Sequence, residues 1–137
     1  MSTEVTRTVI TDYIEALATG QAADRRAEFF TEDATWTLHG DLPVSRTWKG
    51  RDEIFTGFLT QMLARFDLTA PVSQEVHNVI ADGDHAVAEW TTRATTIDGA
   101  PFTNHVTIVF RITNGRIAEA REYFDTAYVG RLLFGRE

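Results

Sequence analysis

The sequence predicts an α+β fold, with helices in the first half of the chain and a long, curved antiparallel sheet in the second. Apolar residues recur with helical spacing as far as residue 66, whereas beyond residue 72 they alternate with polar residues. Three Asp-Gly or Asn-Gly turn signals divide the second half into extended segments. Because 137 residues suffice to bury one hydrophobic core, we expect a single domain over residues 1–137.

Two helices are predicted before the first strand. Apolar side chains on one helical face run from Val5 to Leu17, and Gly20 then ends the pattern. This spacing predicts a helix over residues 3–19. A second, short helix is predicted over residues 22–30.

A strand and a long helix follow. Trp36 and Leu38 alternate with threonine and histidine, as in a half-buried strand, and residues 40–49 are predicted to form a loop. The clearest predicted helix of the sequence begins after Gly50. Its wide apolar stripe must be buried against a large apolar surface. The stripe consists of Ile54, Phe55, Phe58, Leu59, Met62, Leu63 and Phe66.

The partner is predicted to be a meander of four strands, near residues 72–80, 86–97, 102–112 and 117–124. These strands are longer than usual, so we expect the sheet to curve and the helices to cover its concave face. Alternation places one carboxylate, Glu122, among the inward-facing side chains. The expected inward set is Ala86, Ala88, Trp90, Thr92, Ala94, Phe102, Asn104, Val106, Ile108, Phe110, Ile112, Ala118, Ala120, Glu122 and Phe124.

The composition argues against several classes of function. The absence of cysteine removes disulfides, thiol catalysis and thiolate zinc sites. A net charge of −7 without a concentrated basic patch argues against nucleic acid as a partner, and we interpret Arg25 and Arg26 as a solvated face. The chain starts without a secretory signal and has no apolar run long enough to span a bilayer. We therefore predict a cytoplasmic protein without a membrane partner.

No cofactor is predicted. The four histidines lack metal-binding spacing, and there is no glycine-rich phosphate loop. His39 and Asp41 could form a dyad, although a surface pair is the simpler interpretation. Asp125 is best explained as the cap of a short C-terminal helix.

Five short sequence segments resemble those of a known family. They are Tyr13-Ile14-Glu15 and the segments 30–35, 50–54, 114–117 and 121–125. Their order and spacing resemble the nuclear transport factor 2-like superfamily, which includes ketosteroid isomerases, SnoaL-like polyketide cyclases and limonene-epoxide hydrolases. The resemblance covers nearly the whole chain. It implies a cystatin-like curved sheet that forms a cone around an apolar pocket, commonly in a homodimer.

The catalytic residues of two branches are largely missing. Where the isomerases carry their base and their oxyanion-stabilising acid, this chain looks to have Leu38 and Ile108, and only Tyr13 matches. Where the epoxide hydrolases carry their Tyr, Asn, Arg and Asp, it looks to have Trp36, Leu38, Trp90 and Thr92. Only the acid of the last strand is kept, as Glu122. Neither activity is expected by its family route.

Glu122 is thus the leading candidate catalytic residue, with Tyr13 as hydrogen-bond donor to a ligand oxygen. In apolar surroundings the carboxyl should lose hydration, which raises its pKa toward that of a general acid or base. Alternatively, Glu122 pairs with a nearby arginine or reaches solvent at a pocket rim.

The expected pocket lining combines aromatic and polar side chains. The aromatic residues could also be plain core, and Asn104 could satisfy backbone groups instead of a ligand. The predicted lining residues are Trp36, Leu38, Phe58, Trp90, Thr92, Asn104, Ile108 and Phe124.

Two function classes follow. The first is an enzyme without cofactor, of isomerase, cyclase or hydrolase type, acting on a small, mainly apolar molecule. The second is a non-catalytic binding or association domain. A homodimer, implied by the resemblance, would use an outer sheet face that carries Val87, Val109 and Ile117.

Overall fold

A computed structural model describes residues 2–136. Its helices are α1 (Thr3–Ala18), α2 (Ala23–Ala27), α3 (Gly50–Asp52), α4 (Leu59–Leu63) and α5 (Thr126–Phe134), and a π-helical segment at Glu53–Phe58 joins α3 to α4. The strands are β1 (Phe30–Leu38), β2 (Thr47–Lys49), β3 (Ser73–Asp82), β4 (His85–Thr95), β5 (Pro101–Thr113) and β6 (Arg116–Tyr123). The predicted α+β class is confirmed. In this part of the chain, no helix has both the length and the apolar character needed to cross a membrane.

Helix α1 has clear signals at both ends. The Ser2 hydroxyl accepts a hydrogen bond from the Val5 N–H at 3.1 Å and caps the first turn. After the last helical residue, Ala18, Gly20 adopts a φ of 73°, which a residue with a side chain rarely does. The predicted helix is confirmed, one residue shorter than expected. Its buried face consists of Thr6, Ile10, Tyr13, Ile14 and Ala16.

The six strands form one sheet in the order β2-β1-β6-β5-β4-β3. Each of the pairs β3–β4, β4–β5 and β5–β6 is antiparallel, so the predicted meander is confirmed. Strand β1 adds to it parallel with β6, and β2 pairs antiparallel with β1. Strand β2 lies where a loop was predicted. The prediction missed it because a three-residue strand with only Trp48 buried shows too short an alternation of apolar and polar residues.

The inner face of β5 follows the predicted alternation. Its even-numbered residues from Phe102 to Ile112 are all buried. Strand β6 departs from the prediction at a bulge: Arg111 pairs with Glu119 but Ile112 pairs with Ile117, which leaves Ala118 as an extra residue. The bulge turns Ile117 into the core, where it is 0% exposed, so its predicted place on the outer face is wrong.

The helix over residues 50–63 packs its apolar stripe against the sheet. Ile54 and Phe58 are buried, and Phe58 lies against Trp36 and Trp48 with ring centroids 5.9 and 5.6 Å away. Gly57 permits this packing, since a Cβ atom there would approach the Trp48 ring to 3.1 Å.

The C-terminal helix α5 packs against β5. The Asp125 carboxylate accepts from the Tyr128 N–H at 3.1 Å, so the predicted cap is confirmed. The Tyr128 hydroxyl in turn accepts from the Thr103 N–H at 2.9 Å, which ties α5 to β5. Val129 and Leu133 bury the apolar face of the helix in the core.

Candidate functional site

A cavity of about 170 Å³ lies between the helices and the inner face of the sheet. Most of its wall is apolar, which follows from the inward stripes of the 50–63 helix and of β4 to β6. The apolar lining consists of Leu17, Trp36, Ile54, Phe55, Phe58, Leu59, Met62, Phe66, Trp90, Phe102, Val106 and Phe124. The polar lining consists of Tyr13, Arg26, Gln74, Thr92, Asn104 and Glu122.

Glu122 is the only carboxylate among these lining residues. It is half-buried on the inner face of β6, between Leu38 of β1 and Ile108 of β5 in the sheet register. The Trp36 indole N–H donates to its Oε1 at 3.2 Å. Burial raises the pKa of Glu122 to about 7, against the smaller lowering effect of that hydrogen bond. The carboxyl can therefore either donate or accept a proton near neutral pH.

Tyr13 reaches the same cavity from α1. The side chain is 3% exposed and packs edge-on against Phe30 and Phe110, with ring centroids 5.3 and 6.1 Å away. Burial raises the pKa of Tyr13, the positive charge of Arg26 lowers it, and Glu122 raises it. The net effect keeps the phenol protonated, so it can serve as a hydrogen-bond donor.

Three more polar side chains form a row across three neighbouring strands. Gln74, Thr92 and Asn104 lie side by side in the register of β3, β4 and β5. The Trp90 indole donates to the Thr92 hydroxyl at 3.1 Å, and this hydroxyl donates to the Gln74 Oε1 at 2.5 Å. Asn104 is 7% exposed, and its buried Oδ1 has no hydrogen-bond partner among residues 2–136.

The structure brings most of the predicted site residues to one cavity but not all of them. Leu38 and Ile108 are 2% and 0% exposed and belong to the packed core outside the cavity lining. Their predicted role in the lining is wrong, because close-packed neighbours fill the space over this part of the inner face. The predicted residues that do line the cavity are Tyr13, Trp36, Phe58, Trp90, Thr92, Asn104, Glu122 and Phe124.

The sequence interpretation missed two polar lining residues. Arg26 was assigned to a solvated face, yet it is half-buried and lines the cavity. An apolar helical stripe would have marked Arg26, but α2 ends at Ala27 and is too short to show one. Gln74 stands near the start of an edge strand and gave no such signal.

The histidines lie away from the cavity. His39 stacks on Tyr123 with ring centroids 4.7 Å apart, whereas Asp41 pairs with Arg136 at 2.9 Å. His77 and His105 both hydrogen-bond to the Thr91 hydroxyl, at 2.8 and 3.0 Å. Within residues 2–136, no three His, Asp or Glu side chains come together in a way that could hold a metal ion.

The Glu122 environment predicts a pH-dependent stability. Between pH 4.5 and about 7, the folded protein retains a proton that the unfolded chain has lost, so Glu122 makes folding less favourable as the pH rises through this window. Glu122→Gln removes the effect. Relative to wild type, its free energy of unfolding should rise across the window by at most about 3 kcal/mol, measured by urea denaturation.

Glu119→Gln is the matched control on the same strand. A hydrogen bond from Arg111 lowers the pKa of Glu119, so its carboxylate stabilises the fold above pH 4.5. The control should lower the free energy of unfolding by a nearly constant amount between pH 4.5 and 7, because the stabilisation by Glu119 is lost only as the pH falls below this window. A pH-independent difference between Glu122→Gln and wild type would contradict the prediction.

Comparison with known proteins places this geometry in a family. The family model described as the SnoaL-like domain matches residues 10–120. No curated protein is significantly similar to the chain in sequence.

Several solved structures share the fold. An NTF2-like protein of unknown function from Burkholderia pseudomallei K96243 is 23% identical, with a TM-score of 0.83 over 97% of this chain and 98% of that one. TerC, co-crystallised with polyporic acid, is 16% identical, with a TM-score of 0.81 over 95% of this chain and 98% of TerC.

A third similar structure carries a different ligand. A protein from Catenulispora acidiphila DSM 44928 with a ketosteroid isomerase-like fold, in complex with trimethylamine, is 19% identical, with a TM-score of 0.73 over 92% of each chain. At these identities the structures establish the fold alone. The family model covers most of the chain, and the chain belongs to the SnoaL-like domain family.

Proposed function

We propose that the protein binds a small, mainly apolar molecule in the cavity and that Glu122 transfers a proton to or from it. The observation that carries this proposal is a carboxyl group with a pKa of about 7 in the wall of an apolar cavity. Burying a carboxyl without a charged partner costs stability, so a function at this position explains why it is there.

The chemistry follows from the two protonation states of Glu122. The ionised carboxyl takes a proton from a carbon next to a carbonyl group, and the neutral carboxyl returns it at another atom. Tyr13 donates a hydrogen bond to the carbonyl oxygen, where negative charge develops. This sequence of steps is an isomerase-type reaction that needs no cofactor. TerC, a protein of this fold, was co-crystallised with polyporic acid, and this supports a small-molecule role for the cavity.

The second candidate function is binding without catalysis. It is favoured by the apolar Leu38 and Ile108, which flank Glu122 in the sheet. By the family resemblance, they look to stand where ketosteroid isomerases carry their base and their oxyanion-stabilising acid. In that case the cavity and Glu122 would serve only to hold a ligand. Homodimerisation through the outer sheet face also stays a prediction, now without Ile117.

Ligand binding is predicted to depend on free cavity volume. Val106 lines the cavity and Val109, on the same strand, faces the other side of the sheet. Toluene should quench or shift the fluorescence of Trp36 and Trp90 in a saturable manner. Val106→Phe fills the cavity and should weaken binding at least about tenfold, whereas Val109→Phe should leave it unchanged.

The proposal fails if toluene produces no saturable signal in the folded wild-type protein. It also fails if the two variants, checked for equal thermal stability, bind toluene equally well.

Proton transfer is predicted to require Glu122. In D2O, the wild-type protein should accelerate deuterium incorporation next to the carbonyl group of cyclohexanone, with a rate that rises through pH 7 as Glu122 ionises. Glu122→Gln should abolish the acceleration. Tyr13→Phe should reduce it less, because it removes one hydrogen bond and not the proton carrier.

Proton NMR measures the exchange. Equal rates for wild type and Glu122→Gln would exclude Glu122 as the base. Cyclohexanone binding with no exchange would favour the non-catalytic candidate.

A further inference from the structure

Arg26 is a permanently charged side chain in the wall of a mainly apolar cavity. It belongs to the short helix α2, is half-buried, and lines the cavity together with Tyr13. Its Nε–H donates to the Gln21 carbonyl at 3.1 Å, which fixes the guanidinium against the end of the preceding loop. Its charge acts on the Tyr13 hydroxyl, whose pKa it lowers.

This charge has no counterion within residues 2–136. The salt bridges there join other pairs, and none includes Arg26. The carboxyl of Glu122 is hydrogen-bonded to Trp36 and lies beyond salt-bridge distance of Arg26. An arginine without a salt-bridge partner in the lining of a mainly apolar cavity favours a ligand that supplies an anionic oxygen.

Two other polar side chains of the lining, Tyr13 and Gln74, present donors. Tyr13 offers its phenolic hydrogen. In the polar row across β3, β4 and β5, the Gln74 Oε1 already accepts a hydrogen bond from Thr92. The Gln74 amide therefore offers its N–H groups to a ligand. A ligand that matches this wall therefore carries acceptor oxygens.

The cavity volume limits the size of that ligand. At about 170 Å³, the cavity is close to the roughly 150 Å³ that holds one benzene molecule in an engineered protein cavity. One six-membered ring with a small substituent fits this volume, whereas a fused four-ring compound does not.

We propose that the cavity takes a one-ring organic acid, whose carboxylate pairs with the guanidinium of Arg26 and whose ring lies against Trp36, Trp90 and Phe58. The proposal rests on the proposed function of the cavity as a small-molecule site. Glu122 is compatible with an anionic ligand, because its carboxyl is mostly neutral below pH 7 and a bound carboxylate favours the neutral form further.

The test compares benzoate with its uncharged analogue, benzamide, at about pH 6, one unit below the Glu122 pKa of about 7. Binding is measured by calorimetry on the full chain. Wild type should bind benzoate at least about tenfold more tightly than benzamide. Arg26→Gln should lose this preference while keeping its affinity for benzamide, and Arg26→Lys should keep part of it.

Arg25→Gln is the matched control, because it removes the same charge from the neighbouring, exposed position of α2. It should bind both compounds like wild type. Equal loss of benzoate affinity in Arg25→Gln and Arg26→Gln would overturn the proposal, since it would show a general effect of net charge.

Two other outcomes would overturn it. If wild type binds benzamide as tightly as benzoate, Arg26 does not select an anion, although the cavity still binds small molecules. If neither compound binds, the proposed function fails with it. Should Arg26→Gln not fold, the wild-type comparison and Arg26→Lys decide the result.

Discussion

The fold is organised around one carboxyl group placed on the mainly apolar inner face of the sheet. Glu122 lies between Leu38 and Ile108 in the register, and the structure gives it the indole N–H of Trp36 as a hydrogen-bond donor instead of a cationic partner. Such a group loses hydration on folding without recovering it from an ion pair. The surrounding core, with the aromatic cluster of Phe30, Trp36 and Phe58, supplies the burial that offsets this cost.

The sequence predicted the placement of Glu122 because strand alternation is a rigid constraint. Its side chain could be assigned to the inner face once β5 and β6 were paired, and the same logic placed Asn104 inside. The rule failed at Ile117, where a bulge adds one residue and reverses the parity. A bulge without a glycine or proline signal leaves no mark that single-sequence reasoning can use.

The limits of the cavity were harder to predict than the faces of the sheet. Leu38 and Ile108 point inward as expected, but whether an inward side chain meets a cavity or a close-packed neighbour depends on the helices above it. Arg26 and Gln74 reach the cavity from a helical turn and an edge strand, whose positions are fixed only by tertiary packing. The sequence therefore predicted Tyr13, Thr92, Asn104 and Glu122 as polar parts of the site but neither Arg26 nor Gln74.

Membership of the SnoaL-like family fixes the architecture and leaves the chemistry to the side chains in the cavity. In this chain those side chains are one carboxyl, one phenol, one guanidinium and a row of neutral polar groups across three strands. Together they form a poorly hydrated wall. This wall raises the proton affinity of Glu122 and restricts the charge and the ring size of a ligand. Glu122 is the member whose state can be measured without knowing the ligand.

The most direct test is an NMR titration of the Glu122 side-chain carboxyl, assigned by its loss in Glu122→Gln. The structure predicts a midpoint of about 7 in wild type and a higher one in Trp36→Phe, since that variant removes the hydrogen bond to the ionised form. A midpoint near the ordinary value of 4.5 in the folded wild-type protein would contradict the account, because it would mean that the carboxyl is hydrated and not part of an apolar site.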